Sequence, residues 1–321
     1  MATTQATATA GGVQPAVPGA PQGSGGVERE FTVKARSQRQ QIVRRFLRNR
    51  VGMTGLVIFV ILLVFAFIGP LVDGKSYATL NSSAQSVPPG RQGYLLGSDA
   101  IGRDLLSGLM SGVQRSLFIV LLFVAIALPL GLLVGALAGY FGKWVDSVLM
   151  RLVDLILTVP LLVVLIVVAS NFPGSRTPLG VGIILGLFGW LDLARIVRSQ
   201  FLSLREKEYV EAAHSLGASN SRIIFKHLIP NALGSLIVWT TLAAANAIIL
   251  EASLTYLGFG VNGVNQTSLG RLVSDGVQAA STRPWLFYFP GILLLVIVLA
   301  INLIGDGIRD AFDPSNRRVR A

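Results

Sequence analysis

The chain has no cysteine and only two histidines among its 321 residues, and only 13% of its residues are charged. Without cysteine there is no disulfide scaffold, no thiolate metal site, no cysteine nucleophile and no lipid anchor on cysteine. An average soluble domain carries about 25% charged residues. Hydrophobic residues make up 52% of the chain, and its mean hydropathy is +0.64. These values exclude a disordered chain and an ordinary water-soluble enzyme, and they indicate a membrane protein.

Long runs without a charged residue divide the sequence. A helix needs roughly 20 apolar residues to cross about 30 Å of hydrocarbon. Backbone groups cannot stay unpaired in lipid, and these runs do not alternate in polarity as the strands of a barrel do. The sequence therefore predicts an all-α, polytopic membrane protein. Its six predicted transmembrane helices cover residues 51–72, 116–142, 155–171, 177–197, 228–250 and 284–305.

The basic residues predict the orientation of these spans. Six spans place both termini on one side of the membrane. Of the 27 Lys and Arg residues, 20 fall in the termini and in the connections on that side, and seven fall on the other. The positive-inside rule then predicts cytoplasmic N- and C-termini. The net charge of +11 is explained by this topology, so we expect no nucleic-acid partner.

Composition also predicts how the chain is divided. Residues 1–43 are expected to form a disordered cytoplasmic tail, because their first part is rich in Ala, Thr, Gly and Pro. Residues 44–110 hold the first transmembrane helix and an external amphipathic segment that begins near Ser98. Residues 111–310 hold the other five spans, and residues 311–321 form a cytoplasmic C-terminal tail.

Several strings resemble catalytic or cofactor motifs without their structural context. Residues 69–76 match the P-loop pattern, but they follow a membrane helix and contain a proline. Residues 258–263 match GxGxxG and are interpreted as a glycine-rich turn at a helix end. His214 and His227 are 13 residues apart, without metal-ligand spacing. We therefore expect no catalytic residue, cofactor or metal in this chain.

A few polar and small residues stand out inside the spans. Asn246 lies deep in the fifth span, where an interhelical hydrogen bond and a water-filled path both remain open. Glu251 lies one membrane thickness along the same helix, and a solvated interfacial carboxylate is the favoured interpretation. Gly131, Gly135 and Gly139 have the four-residue spacing that lets helices approach closely, either within the chain or against a second membrane subunit.

The cytoplasmic segment 195–230 predicts two helices joined at a tight turn. Gly217 is placed to end the first helix in a left-handed conformation, and Ser219 or Asn220 can cap the second. Pro230 is expected to end the second helix before the fifth span. The second helix carries an apolar cluster of Ile223, Ile224, Phe225 and Leu228. This surface must be buried, either on the protein's own membrane helices or in a groove on a cytoplasmic partner.

The same segment resembles the "EAA" loop of permease subunits of ABC importers, through Glu211-Ala212-Ala213, Gly217 and Pro230. His227-Leu-Ile-Pro-Asn231 is similar to the version in the dipeptide/oligopeptide branch, and the best match is its C-type subunit. The resemblance covers Arg44 to Arg318. Further matching stretches follow in order: Leu96–Asp99, Gly102–Asp104, Glu251–Gly260 and Gly305–Asp310.

The resemblance implies the type I ABC importer permease fold in a bacterial plasma membrane, and a non-catalytic subunit that imports peptides. It also implies a second homologous permease subunit, two ABC ATPase subunits that bind ATP and Mg, and an extracytoplasmic substrate-binding protein. The loop coupling the chain to the ATPases would contain Glu211, Ala212, Ala213, Gly217, Ile223, Ile224, Phe225 and Pro230. Asn246 and Glu251 are candidates for the translocation path. The alternative is a stand-alone secondary transporter, against which the lack of an internal repeat counts.

Overall fold

A computed structural model describes residues 38–172, 174–263 and 266–312, and every named element in these ranges is a helix. The predicted all-α fold is confirmed for this part of the chain. The α-helices are α1 (Gln38–Arg48), α2 (Arg50–Phe67), α3 (Gly69–Asp73), α4 (Leu105–Phe141), α5 (Lys143–Leu157), α6 (Leu161–Asn171), α7 (Pro178–Arg205), α8 (Glu208–Ser215), α9 (Asn220–Ile223), α10 (Ile229–Tyr256), α11 (Leu269–Val277) and α12 (Trp285–Phe312). A 3-10 turn covers Ser82–Ala84, and a π-helical turn covers Ile224–Leu228.

Five helices are long and apolar enough to cross a membrane: α2, α4, α7, the continuous helix Asn220–Tyr256, and α12. A sixth crossing results when α5 and α6 are counted as one broken span. The predicted third span, 155–171, differs from the structure in its start and in its continuity, because α5 begins at Lys143 and is bent by 78° from α6 at the break between them. Pro160 lies at this break, where its missing N–H and its ring interrupt the helix. With 11 residues, α6 is about 16 Å long, too short to cross alone.

Helix α1 begins inside the predicted disordered tail. Residues 38–43 are helical, so that part of the prediction is wrong. The helix contacts α2 and α12 through the ring of Phe46, which packs beside Gly52 of α2 and Gly307 of α12. Residues 1–37, and residues 313–321 of the predicted C-terminal tail, lie outside the described residues.

Glycines bring α4 and α7 together into the most extensive helix pair of the described chain. A Cβ added to any of the three glycines predicted to pack would meet a side-chain carbon of α7 at 2.6–2.7 Å. The pairs are Gly131 with Leu193, Gly135 with Val197, and Gly139 with Phe201. Such contacts are possible only without a side chain on α4. The prediction of close packing within the chain is confirmed.

The predicted external amphipathic segment is not a separate element. Ser98 and Asp104 form an isolated bridge around a turn, and Asp104 then caps α4 by accepting a hydrogen bond from the Ser107 N–H at 2.8 Å. From Leu105 the helix runs 37 residues to Phe141. The predicted boundary at residue 110 therefore falls inside a helix, since no proline separates residues 105–114 from the apolar run that follows them.

The two glycine-rich strings occur at helix ends. Residues 69–76 follow α2 and begin with the short helix α3, so no strand leads into them as a P-loop requires. Gly258 lies directly after the C-cap residue of α10 and has a φ of +86°. The interpretation of residues 258–263 as a turn at a helix end is confirmed.

Candidate functional site

The hairpin, residues 208–228, consists of α8, a glycine turn, α9 and the π-helical turn. At the end of α8 the Ala218 N–H donates to the Ala213 carbonyl at 3.1 Å, and the Gly217 N–H donates to the His214 carbonyl at 2.9 Å. This pair of bonds defines a Schellman cap, in which the residue after the C-cap adopts a left-handed backbone conformation. Gly217 supplies that conformation with a φ of +79°. The predicted glycine cap is confirmed.

The second arm of the hairpin continues into the membrane without a break. The Ser219 hydroxyl caps α9 by accepting a bond from the Arg222 N–H at 3.4 Å, and α9 passes through the π-helical turn into α10. The prediction that Pro230 ends this arm is wrong. Pro230 lies in the first turn of α10, where the missing N–H removes little hydrogen bonding. The π turn before it changes the hydrogen-bonding register, so the helix continues through the proline.

One side of the hairpin is buried against the protein's own helices. Val210, Ile223 and Leu228 are buried in one cluster with Val197 and Phe201 of α7. Ala213, Ala218 and Ile224 are half-buried against the same cluster. This packing holds both arms on α7, so the hairpin is a rigid extension of the membrane helices.

On the opposite side of the hairpin, apolar side chains are exposed. Leu216 is 88% exposed and Phe225 is 71% exposed, and Tyr209 is also exposed. Glu211 and Ala212 lie on the exposed part of α8. The two interpretations of the predicted apolar cluster thus apply to different residues. Ile223 and Leu228 pack on the chain itself, whereas Phe225 remains exposed and is available to a partner.

Polar contacts brace the base of the hairpin. The Tyr140 hydroxyl, at the end of α4, donates to Asn220 Oδ1 at 2.8 Å. Arg205 Nη1 donates to the carbonyl oxygens of Gly139 and Tyr140 at 3.3 and 3.4 Å. The rings of Tyr209 and His227 lie 6.3 Å apart and link the two arms. Sequence reasoning missed these contacts, because the partners of Tyr140 and Arg205 are 65 to 80 residues away.

Two ion pairs join α5 to α7 above the hairpin. The guanidinium of Arg198 binds the carboxylate of Asp146 through two bonds, one of them 2.6 Å long from Nη2 to Oδ2. Arg195 Nη2 lies 2.6 Å from Asp154 Oδ1, with both side chains about half exposed. The sequence shows complementary charges on the 2–3 and 4–5 connections, but it does not show which of these charges lie close together.

The two polar residues of the fifth span have different environments. Asn246 is exposed on the surface of α10, and no hydrogen bond links it to another helix in the described ranges. Glu251 is only 1% exposed, so its interpretation as a solvated interfacial carboxylate is wrong. Its Oε1 accepts bonds from the hydroxyls of Ser268 at 2.6 Å and Thr255 at 2.9 Å. Ser268, which precedes α11, and Gly270 in its first turn lie beside this carboxylate.

Among the described residues no group of three or more His, Asp or Glu side chains is arranged to hold a metal ion. The hairpin thus has one side packed on α7 and exposed apolar side chains at Leu216 and Phe225. Together with helices that are long and apolar enough to cross a membrane, these features define an integral membrane protein.

Comparison with known proteins identifies the family. Residues 131–318 match the binding-protein-dependent transport system inner membrane component, and residues 37–89 match the N-terminal TM domain of oligopeptide transport permease C. The chain belongs to this family of transport permeases, as the C-type subunit of its dipeptide/oligopeptide branch, and the predicted resemblance is confirmed.

Full-length relatives agree with this assignment. The chain is 40% identical over 284 residues to the oligopeptide transport system permease protein OppC of Mycobacterium tuberculosis, covering 88% of this chain and 97% of the relative. It is 37% identical to OppC of Escherichia coli, covering 90% and 95%. The fold is similar to a chain of the MetNI methionine ABC transporter, solved in an inward-facing conformation. That match has a TM-score of 0.50 and 19% identity, and covers 65% of this chain and 96% of the other.

Proposed function

We propose that the chain is the membrane-spanning subunit of an ATP-driven importer of dipeptides or oligopeptides and forms half of its translocation path. Relatives named as oligopeptide and dipeptide transport permeases, with 35–40% identity over most of their length, support this substrate class. The observation that carries the coupling role is the bare face of the hairpin, with Leu216 and Phe225 exposed on a rigidly packed base.

In this proposal each partner subunit has a different function. Two ABC ATPase subunits hold ATP and Mg and hydrolyse the nucleotide, and one of them binds the exposed face of the hairpin. A second, homologous permease subunit completes the path, and an extracytoplasmic binding protein delivers the peptide. The rigid base supports coupling, because a hairpin fixed to α7 and continuous with α10 transmits a displacement instead of absorbing it.

Asn246 is the residue of this chain that we assign to the path. It is exposed on α10 in the middle of an apolar helix, a costly position unless it meets water or another subunit. Glu251 is not assigned to the path, because it is enclosed within the chain.

Orientation can be tested with single cysteines, since the native chain has none. Cytoplasmic termini and a cytoplasmic hairpin are part of the proposal. Leu216→Cys should react with a membrane-impermeant maleimide only in inside-out vesicles. Leu71→Cys, which is equally exposed in α3 at the opposite end of α4, should react only from the outside of intact spheroplasts. Labelling of Leu216→Cys from outside would contradict the proposal.

The docking role is tested by removing the apolar face. We expect Leu216→Ser with Phe225→Ser to lower the amount of ATPase that co-purifies with the tagged chain about tenfold or more, because central apolar anchors carry most of the energy of an interface. Uptake of a labelled tripeptide by cells should fall with it. Leu71→Ser is the matched control and should change neither readout. Wild-type co-purification and uptake by the double variant would refute the docking role.

The substrate class needs a separate readout. In the wild-type strain an excess of unlabelled dipeptide or oligopeptide should compete with the labelled tripeptide, whereas free amino acids should not. If the ATPase co-purifies but no peptide competes, the coupling role stands and the peptide assignment fails.

A further inference from the structure

Helix α1 lies across the ends of two membrane helices. Its Phe46 ring packs between Gly52 and Gly307, where an added Cβ would lie 2.9 and 3.1 Å from Phe46 Cε2. Arg45 Nη1 donates to the Ala311 carbonyl at 3.5 Å. These contacts join α1 to the first turn of α2 and the last turns of α12. Because those turns are where the apolar helices end, α1 is held at the boundary of the membrane.

The outer face of α1 carries an apolar stripe beside a basic one. Val43 and Leu47, which are four residues apart on α1, are 57% and 56% exposed. Arg44 and Arg48 are exposed one position further round the helix. This is the arrangement of a helix that lies in the interface, with its apolar side chains among the acyl chains and its cations at the headgroups.

The charges of this face are of one sign. No acidic residue occurs from Gln38 to Val72. Arg44, Arg48 and Arg50 form no ion pair within the described ranges. On α12, the carboxylate of Asp310 accepts a bond from Asn49 Nδ2 at 2.8 Å. The surface is therefore complementary to anions that lie in a plane at the membrane boundary.

We propose that α1 is a docking helix for anionic phospholipids. Arg44, Arg48 and Arg50 bind lipid phosphates, while Val43 and Leu47 enter the acyl region. Each basic residue near an anionic surface strengthens binding about fivefold. The proposal concerns lipid and needs neither peptide transport nor ATPase docking, so it can fail or succeed independently of both.

The test uses the full-length chain with one introduced thiol. Leu47→Cys, labelled with an environment-sensitive fluorophore, is placed in nanodiscs of phosphatidylcholine with or without phosphatidylglycerol. Spin-labelled phosphatidylglycerol should quench the fluorophore more strongly than spin-labelled phosphatidylcholine at equal mole fraction. In the Arg44→Gln, Arg48→Gln background the preference for phosphatidylglycerol should fall about 30-fold, from about fivefold per arginine.

Arg91→Gln is the matched control, since Arg91 is an exposed arginine in the loop between α3 and α4. It should leave the lipid preference unchanged. Equal quenching by the two lipids in the native background would overturn the proposal. So would a fluorophore that is shielded from aqueous iodide but not quenched by either spin-labelled lipid. In that case protein covers the face, either residues 1–37 of this chain or a partner subunit.

Discussion

Glu251 is a buried polar link between the membrane helix α10 and the helix α11, and removing it should loosen α11. Glu251 Oε1 accepts the Ser268 hydroxyl at 2.6 Å, and Ser268 also caps α11 by accepting the Arg271 N–H at 3.1 Å. The Thr255 hydroxyl is the second donor. In Glu251→Ala both hydroxyls lose their acceptor. Thr255 can turn to a carbonyl of its own helix, whereas the buried Ser268 is the N-cap of α11 and has no preceding helical turn whose carbonyl could accept its proton.

The magnitude follows from that one unsatisfied group and the lost contacts of the side chain. Leaving a buried hydroxyl without a partner costs about 1–3 kcal/mol. With the lost packing of the Glu251 side chain, we expect the free energy of opening α11 to fall by about 2–3 kcal/mol. At about 1.4 kcal/mol per tenfold change, this makes the opened state about 30- to 150-fold more populated.

Amide hydrogen exchange of the full-length chain in detergent measures this population directly. Peptides covering residues 269–277 should exchange about 30- to 150-fold faster in Glu251→Ala, since exchange tracks local opening. Ser253→Ala is the control, because the Ser253 hydroxyl bonds only the Ile249 carbonyl of its own helix. Glu251→Gln keeps an acceptor and should show a smaller effect. If Glu251→Ala and Ser253→Ala exchange alike, Glu251 does not hold α11.

Two further predictions concern the helix pairs that support the hairpin, both measured as thermal unfolding midpoints in detergent by tryptophan fluorescence. Gly135→Ala brings a Cβ to 2.6 Å from Val197 Cβ and should lower stability by about 1–3 kcal/mol through overpacking, whereas Gly291→Ala, in open space, should not lower it. Asp146→Asn removes the partner of a partly buried Arg198 and should cost about 1–2 kcal/mol, between the values for exposed and buried pairs. The exchange Asp146→Arg with Arg198→Asp should restore most of that loss, and failure to do so would mean that the ion pair is not stabilising.

Features that depend on local sequence could be predicted. Apolar runs mark membrane helices because lipid excludes unpaired backbone groups, and glycines at four-residue spacing mark a close helix contact. Gly217 was predicted as a left-handed cap because few other residues adopt that conformation at low cost. In each case the physical requirement concerns one short segment, and a few residue types satisfy it.

Features that depend on distant partners could not be predicted. The burial of Glu251 depends on Ser268, which is 17 residues away in the sequence. The bend before α6 could not be predicted from hydropathy, because the apolar run between Leu155 and Asn171 carries no information on helix direction. Pro160 within this run was the one sequence signal for a break. The helix through Pro230 continues because the π turn before it changes the register, a geometry with no clear sequence signal.

The continuity of α9, the π turn and α10 determines where motion of the hairpin must go. Helix α10 has 28 residues and a length of about 42 Å, with the hairpin at one end and Glu251 near the other. Ile223 and Leu228 are buried beside α7, so the hairpin cannot swing on α10 alone without losing that packing. Under the proposed function, a displacement imposed on the bare face therefore moves α7 and α10 together. At the outer side this displacement becomes a motion of α10 relative to α11. The hydrogen bond from Ser268 to Glu251 joins these two helices, so it must either move α11 along with α10 or break.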